Sequence, residues 1–245
     1  MMPGSGFLPI SSRRLCAAFA AALMASACAA RSPLLRQVCD NPDAQLAAAL
    51  QPLEALRAKG CDTETARAGS SECDRLRREI ERLALVCPGH VPTLLANAVI
   101  AYEDDHRPAK SQQFLDQVLA QSRNYPDAAI LRARIALEEG NIPFARRLLE
   151  RQITLTPDHA GLHETYAATL YLVRQLPEAR RELTTASALG APRWRIAYHL
   201  GLIEEASGRP DEARRYYSEA LDGNPGWAPA QSHLKGLRDK TPPRP

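Results

Sequence analysis

The triplet Ala-Arg-Arg recurs at one interval: Ala145-Arg146-Arg147, Ala179-Arg180-Arg181 and Ala213-Arg214-Arg215 stand 34 residues apart. Recurrence over that distance means that the chain stacks one structural unit, and a period of 34 points to a helix-turn-helix. Such arrays bury their cores between neighbouring units and present long surfaces that hold other molecules; they seldom carry catalytic chemistry. Aromatic residues make up only 5% of the chain while Leu, Ala and Arg abound, which favours helices over sheets. The expected fold class is all-α.

Within the clearest unit, Ala197, Leu200, Gly201, Glu204 and Gly208 follow a first helix and its turn. Ala213, Tyr217, Ala220 and Pro225 then mark a second helix and its exit. Ala213 allows close helix approach, Tyr217 and Ala220 share its face, and Pro225 cannot continue the helix. One period earlier stand Ala167, Ala179, Leu183, Ala186 and Pro192; another step back gives Ala133, Gly140, Ala145, Leu149 and Pro157. This pattern resembles the tetratricopeptide repeat, and the resemblance implies a right-handed α-solenoid. Residues 126–225 hold three strong units. A fourth, around 91–123, keeps Ala98, Tyr102, Leu115 and Val118 but has Ser111 where alanine is expected. The array is therefore placed at 91–225. Residues 227–239 read as an amphipathic helix that caps its open end, and Thr241 to Pro245 as a disordered tail.

The chain opens differently. Arg13 and Arg14 precede an apolar run from Leu15 to Met24, followed by Ala25-Ser26-Ala27-Cys28. A positive start, a short apolar core and small residues form the layout of an export signal. Only 16 residues separate Arg14 from Arg31, whereas a spanning helix needs about 20. Residues 1–27 are read as a signal peptide and 28–40 as a tether. Ala25-Ser26-Ala27-Cys28 also resembles the bacterial lipobox. That resemblance implies a diacylglycerol on Cys28 and, with Ala29 next, the periplasmic face of the outer membrane. Cleavage after Ala27 without lipidation, giving a soluble periplasmic chain, is the other route. Without the signal, residues 28–245 carry 29 basic and 28 acidic groups. So neutral a balance does not suggest the concentrated basic surface of a nucleic-acid binder.

Cys16 leaves with the signal and Cys28 with the lipid, so Cys39, Cys61, Cys73 and Cys87 remain. An even number suits disulfides in an oxidising compartment. Leu46, Leu50, Leu53 and Leu56 lie along one side of a predicted helix from Pro42 to Lys59; Leu76, Ile80 and Leu83 belong to a second from Ser71 to Val86. If the two run antiparallel within a hairpin at 41–90, Cys61 meets Cys73 at the linked end and Cys39 meets Cys87 at the open end. The cysteine gaps contain no Cys-x-x-Cys knuckle of the zinc or thioredoxin type. A periplasmic thiol-redox protein using this hairpin is the competing class.

Other candidate chemistry is sparse. His159 and His163, with Glu164 beside them, have one-turn spacing, but Asp158 reads as a helix cap and no His-Glu-x-x-His order is present. Glu103-Asp104-Asp105 reads as a solvated turn. The paired arginines read as an outer, water-facing stripe balanced by nearby glutamates. No catalytic residue, metal site or cofactor is expected.

Tetratricopeptide arrays line their concave side with first helices, so the resemblance implies a partner-binding set. It comprises Ile130, Arg134, Leu137 and Glu138, then Glu164, Ala168, Tyr171 and Leu172, then Arg195, Tyr198, Leu202 and Glu205. The Lys and Asn positions of carboxylate-clamp arrays hold other residues, so that clamp is absent. Similar lipoproteins act as pilotins for pilus secretins, in outer-membrane protein assembly, or as regulators of peptidoglycan enzymes. The expected function is a scaffold that holds a protein or peptide partner during envelope, pilus or secretion-apparatus assembly. Oligomeric state is left open.

Overall fold

The computed structural model describes residues 39–61 and 71–239. The predicted signal peptide, Cys28, most of the predicted link at 60–70 and the tail beyond 239 lie outside them. The described residues form eleven helices and no strand. An opening pair is α1 (Pro42–Arg57) and α2 (Glu72–Val86). Four repeat pairs follow: α3 (Val91–Glu103) with α4 (Pro108–Gln121), and α5 (Pro126–Glu138) with α6 (Ile142–Leu155). Then come α7 (Ala160–Leu172) with α8 (Leu176–Ala188), α9 (Arg193–Ala206) with α10 (Pro210–Gly223), and the closing helix α11 (Ala228–Asp239). Each helix packs on the next, and α7 also touches the first helices α5 and α9 on either side of it. No helix among the described residues is long and apolar enough to cross a membrane.

Proline starts most of these elements. Among the described residues eight helices carry it in their first two positions, including Pro92, Pro108, Pro126, Pro143, Pro177, Pro210 and Pro229. There the missing N–H costs no helical hydrogen bond, and the fixed φ already suits the helix. At α2, the Ser71 hydroxyl accepts from the Asp74 amide at 3.1 Å while the Asp74 carboxylate accepts from the Ser71 amide at 3.4 Å. That reciprocal cap sets where α2 begins.

Alanines fix the spacing of the repeats. Ala133, Ala145, Ala167, Ala179, Ala197 and Ala213 are all buried, as are Leu115, Leu149, Leu183 and Tyr217 at the corresponding point of the second helices. Ser111, the predicted weak point of the first repeat, is also fully buried; its hydroxyl donates to the Ala98 carbonyl at 2.8 Å. A satisfied hydroxyl is tolerated where an unpaired one would be costly.

A second periodicity lies in the backbone. His106, Gly140, Arg174 and Gly208 have φ of 51°, 75°, 63° and 74°. They recur every 34 residues in the turn between the two helices of a unit. The turn demands a left-handed residue, which glycine supplies at little cost and the other two supply under strain.

The opening hairpin is stapled and docked. Cys39 is bonded to Cys87 and Cys61 to Cys73, with Cα–Cα distances of 5.6 and 6.0 Å. Leu46, Leu53, Leu76, Ile80 and Leu83 form its core. The buried Asn97 of α3 donates to the Ile80 carbonyl of α2 at 3.0 Å. Asp104 is not the water-facing turn residue expected: Arg57 of α1 and Arg77 of α2 both place Nε 3.0 Å from its carboxylate. Two guanidiniums from separate helices thus converge on the first repeat's turn.

Candidate partner-binding groove

The first helices α5, α7 and α9 stand side by side and form the walls of an open pocket of about 450 Å³. Helical spacing decides which residues face it. Arg134 and Leu137 come from α5, and Glu164, Thr165 and Ala168 from α7. Trp194, Arg195, Tyr198 and His199 come from α9, and Trp227, just before α11, closes the end. Trp194 and Trp227 meet edge to face at 5.0 Å between ring centroids, and Tyr198 meets Trp227 at 6.0 Å. Gly223 allows this corner to close, because a Cβ there would lie 2.7 Å from the Trp194 Cβ.

Glu164 is buried, 2.8 Å from Arg195 Nε and 3.2 Å from His199 Nε2. Burial acts to raise its carboxyl pKa, but His199 and Arg195 outweigh that effect and hold it below the usual carboxylate range. Glu164 therefore anchors Arg195 rather than standing free for a partner. Arg134 remains exposed and lies over the Tyr102 ring at 5.7 Å. The Tyr102 phenol, pushed up to about 12 by burial and by its hydrogen bond to Glu138, stays protonated. Aromatic rings, the Arg134 and Arg195 guanidiniums, the Glu164–His199 pair, Thr165 and apolar carbon line the pocket, a mixture suited to binding.

Arg134, Leu137, Glu164, Ala168, Arg195 and Tyr198 from the expected set are brought together here. The others are not. Ile130 packs against Gly161, with its Cδ1 2.9 Å from where a Cβ would be. Glu138 turns to Tyr102, and Tyr171 packs into the core formed by α7, α8 and α9. Leu172 is exposed and does not line the pocket. Leu202 packs beside Tyr217, while Glu205 accepts the Tyr217 hydroxyl at 2.8 Å and lies 2.9 Å from His233 Nδ1. Burial and that carboxylate push the Tyr217 phenol upward. Sequence reasoning missed Thr165, His199, Trp194 and Trp227. The two tryptophans, the only ones in the chain, were the available signal, since such side chains supply much of the energy at binding surfaces.

The outer-stripe reading of the arginine pairs needs correction. Arg147, Arg181 and Arg215 are exposed. The balancing acids are present, with Arg146 2.8 Å from Glu150 and Arg181 3.1 Å from Glu178, but the first arginine of each triplet also reaches out of its own helix. Arg146 Nη1 lies 3.5 Å from Gln175 Oε1, Arg180 pairs with Glu204, and Arg214 Nη2 donates to the Leu237 carbonyl at 3.0 Å. Glu204 is buried and also paired with Arg209. Its burial is outweighed by Arg209 and Arg180, which keep its carboxyl low.

The histidine pair is also divided. His163 is buried, with Nδ1 2.7 Å from Glu182 and Nε2 2.8 Å from the Pro157 carbonyl. His159, not Asp158, occupies the N-cap of α7. Among the described residues no group of three or more His, Cys, Asp and Glu could hold a metal ion.

No protein-family model and no curated protein matches the sequence. Solved structures do match in shape. A thermophilic tetratricopeptide-repeat protein of Thermus thermophilus is 18% identical with a TM-score of 0.63, covering 79% of this chain and 98% of its own. PilF of Pseudomonas aeruginosa is 14% identical with a TM-score of 0.60, covering 82% and 86%. MamA from Desulfovibrio magneticus RS-1 is 14% identical with a TM-score of 0.52, covering 75% and 97%. In fold, the chain is a tetratricopeptide-repeat protein.

Proposed function

We propose that this chain is an exported scaffold that holds a protein partner across α5, α7 and α9. The observation that carries the reading is the pocket itself, where Trp194, Tyr198 and Trp227 stand beside Arg134 and Arg195. Aromatic side chains and arginine dominate the energetics of protein interfaces. The role is binding rather than catalysis. Export rests on the Arg13-Arg14 start and the apolar run, with lipid attachment at Cys28 favoured and a soluble periplasmic chain as the alternative. The envelope process favoured is pilus or secretion-apparatus assembly, on the sequence resemblance to pilotin-type lipoproteins; regulation of peptidoglycan or outer-membrane assembly enzymes is the second reading. The thiol-redox alternative is disfavoured because the four cysteines pair as Cys39–Cys87 and Cys61–Cys73, across sequence separations of 48 and 12, rather than as the Cys-x-x-Cys pair of thioredoxin-like chemistry.

A photoreactive amino acid at Ala168 in native cells tests the groove. It should capture a discrete partner, and Trp194→Ala with Tyr198→Ala should abolish capture; undiminished capture would exclude this surface. Labelling with a palmitate analogue tests the anchor, since a Cys28→Ala chain that labels as strongly as the parent would remove it.

A further inference from the structure

We infer that the pocket takes a partner segment in which a large aromatic side chain lies next to carboxylates. This rests on the groove reading above and adds the chemistry of its occupant. The Trp194, Tyr198 and Trp227 corner offers edges and faces to an inserted ring. The adjoining charge is positive. Arg134 forms no ion pair among the described residues, its one ring contact being Tyr102. Arg195 contacts Glu164 through Nε, its side chain is 44% exposed, and its Nη groups make no other hydrogen bond among the described residues.

Glu164 matters most to this balance. Its carboxylate is spent on Arg195 and His199, so it neutralises one of the two guanidiniums and leaves the pocket with net positive charge. Guanidinium and carboxylate form the shorter, stronger class of hydrogen bond, so an acidic side chain of the partner is the group this wall selects. The chain's own residues 240–245 are excluded as occupant on charge, because Lys240 and Arg244 are basic.

A random twelve-residue peptide display selected against the full-length, oxidised chain tests the inference. Enrichment of Asp or Glu within two positions of Phe, Tyr or Trp is expected. A synthetic peptide of the enriched sequence should lose about tenfold in affinity on changing its acids to amides. Arg134→Gln should give a comparable loss with the melting temperature nearly unchanged, because that side chain is exposed, is in no ion pair among the described residues and gives up only its contact with the Tyr102 ring; binding should also weaken as salt is raised. Arg195→Gln serves as the second variant, read only if its melting curve matches the parent. Enrichment of basic or proline-rich sequences, no enrichment, or equal binding by the amide peptide overturns the inference. So does self-association of the chain that Arg134→Gln abolishes, since the occupant would then be a second copy. Capture through Ala168 that persists alongside a failed selection would leave the groove standing and remove only its acidic–aromatic preference.

Discussion

Tyr217 fills the space that Gly201 leaves open: a Cβ on Gly201 would lie 2.6 Å from the Tyr217 ring. The ring is fully buried and its hydroxyl is held by Glu205, so it cannot step aside. Alanine normally gains about 1 kcal/mol over glycine inside a helix. Overpacking costs about 1–3 kcal/mol and should win. Gly201→Ala is expected to lower the melting temperature by circular dichroism, and in a Tyr217→Leu background the same change should raise it.

The left-handed turn position predicts a stabilising change. His106 occupies, at φ 51°, the site that Gly140 and Gly208 fill in later repeats. A non-glycine residue there costs about 1–2 kcal/mol, partly offset by the entropy glycine loses on folding. His106→Gly should therefore gain about 0.5–1 kcal/mol in urea unfolding. Gly140→Ala should move stability the other way.

The two staples should differ in strength. Cys39–Cys87 closes a sequence separation of 48 and Cys61–Cys73 one of 12. Loop-closure entropy then favours the outer bond by about 1 kcal/mol. Paired Cys-to-Ser variants, followed by limited proteolysis of the hairpin, measure the difference. Titration of the denatured, non-reduced protein should find no free thiol among these four residues.

Acid should weaken the array through Glu164 and Glu204. Both carboxyls are held below the ordinary 4.5 in the folded protein. Their stabilisation is therefore complete above the unfolded value and is lost as pH falls through the lowered folded value. Melting temperature should decline below about pH 5. Glu204→Gln should melt lower than the parent at neutral pH, because Arg180 and Arg209 lose their charged partner, and the two curves should converge in acid.

Asp104 should prove to be the latch between hairpin and array. Asp104→Asn leaves Arg57 and Arg77 without their shared charge, at a cost of about 1–3 kcal/mol for partly buried groups. Hydrogen exchange should rise across α1 and α2 ahead of α7 to α10.

The repeat interval and the buried alanines were legible because each follows from helical geometry acting over short distances, and the nested cysteine pairing because an antiparallel hairpin fixes which helix ends meet. Local spacing could not show that Asp104 would meet Arg57, 47 positions away, since that depends on how two packed helices turn their side chains. The same limit hid Trp227, which enters the pocket from a turn outside the repeat pattern. It also explains Glu205 and Tyr171: both sit on the correct helices, but neighbouring side chains draw them inward. His106 and Arg174 concealed the left-handed turn because neither is the glycine that would have announced it.

Arg146, Arg180 and Arg214 give the array a mechanical character. Each arm crosses a boundary that alkyl packing alone would leave free to shear. A pull along the solenoid must break a polar bridge at each of these joints, so resistance is spread along its length instead of concentrated at one weak seam. A solenoid that holds a partner under load gains from such stiffness, because the groove keeps its curvature while the ends are strained.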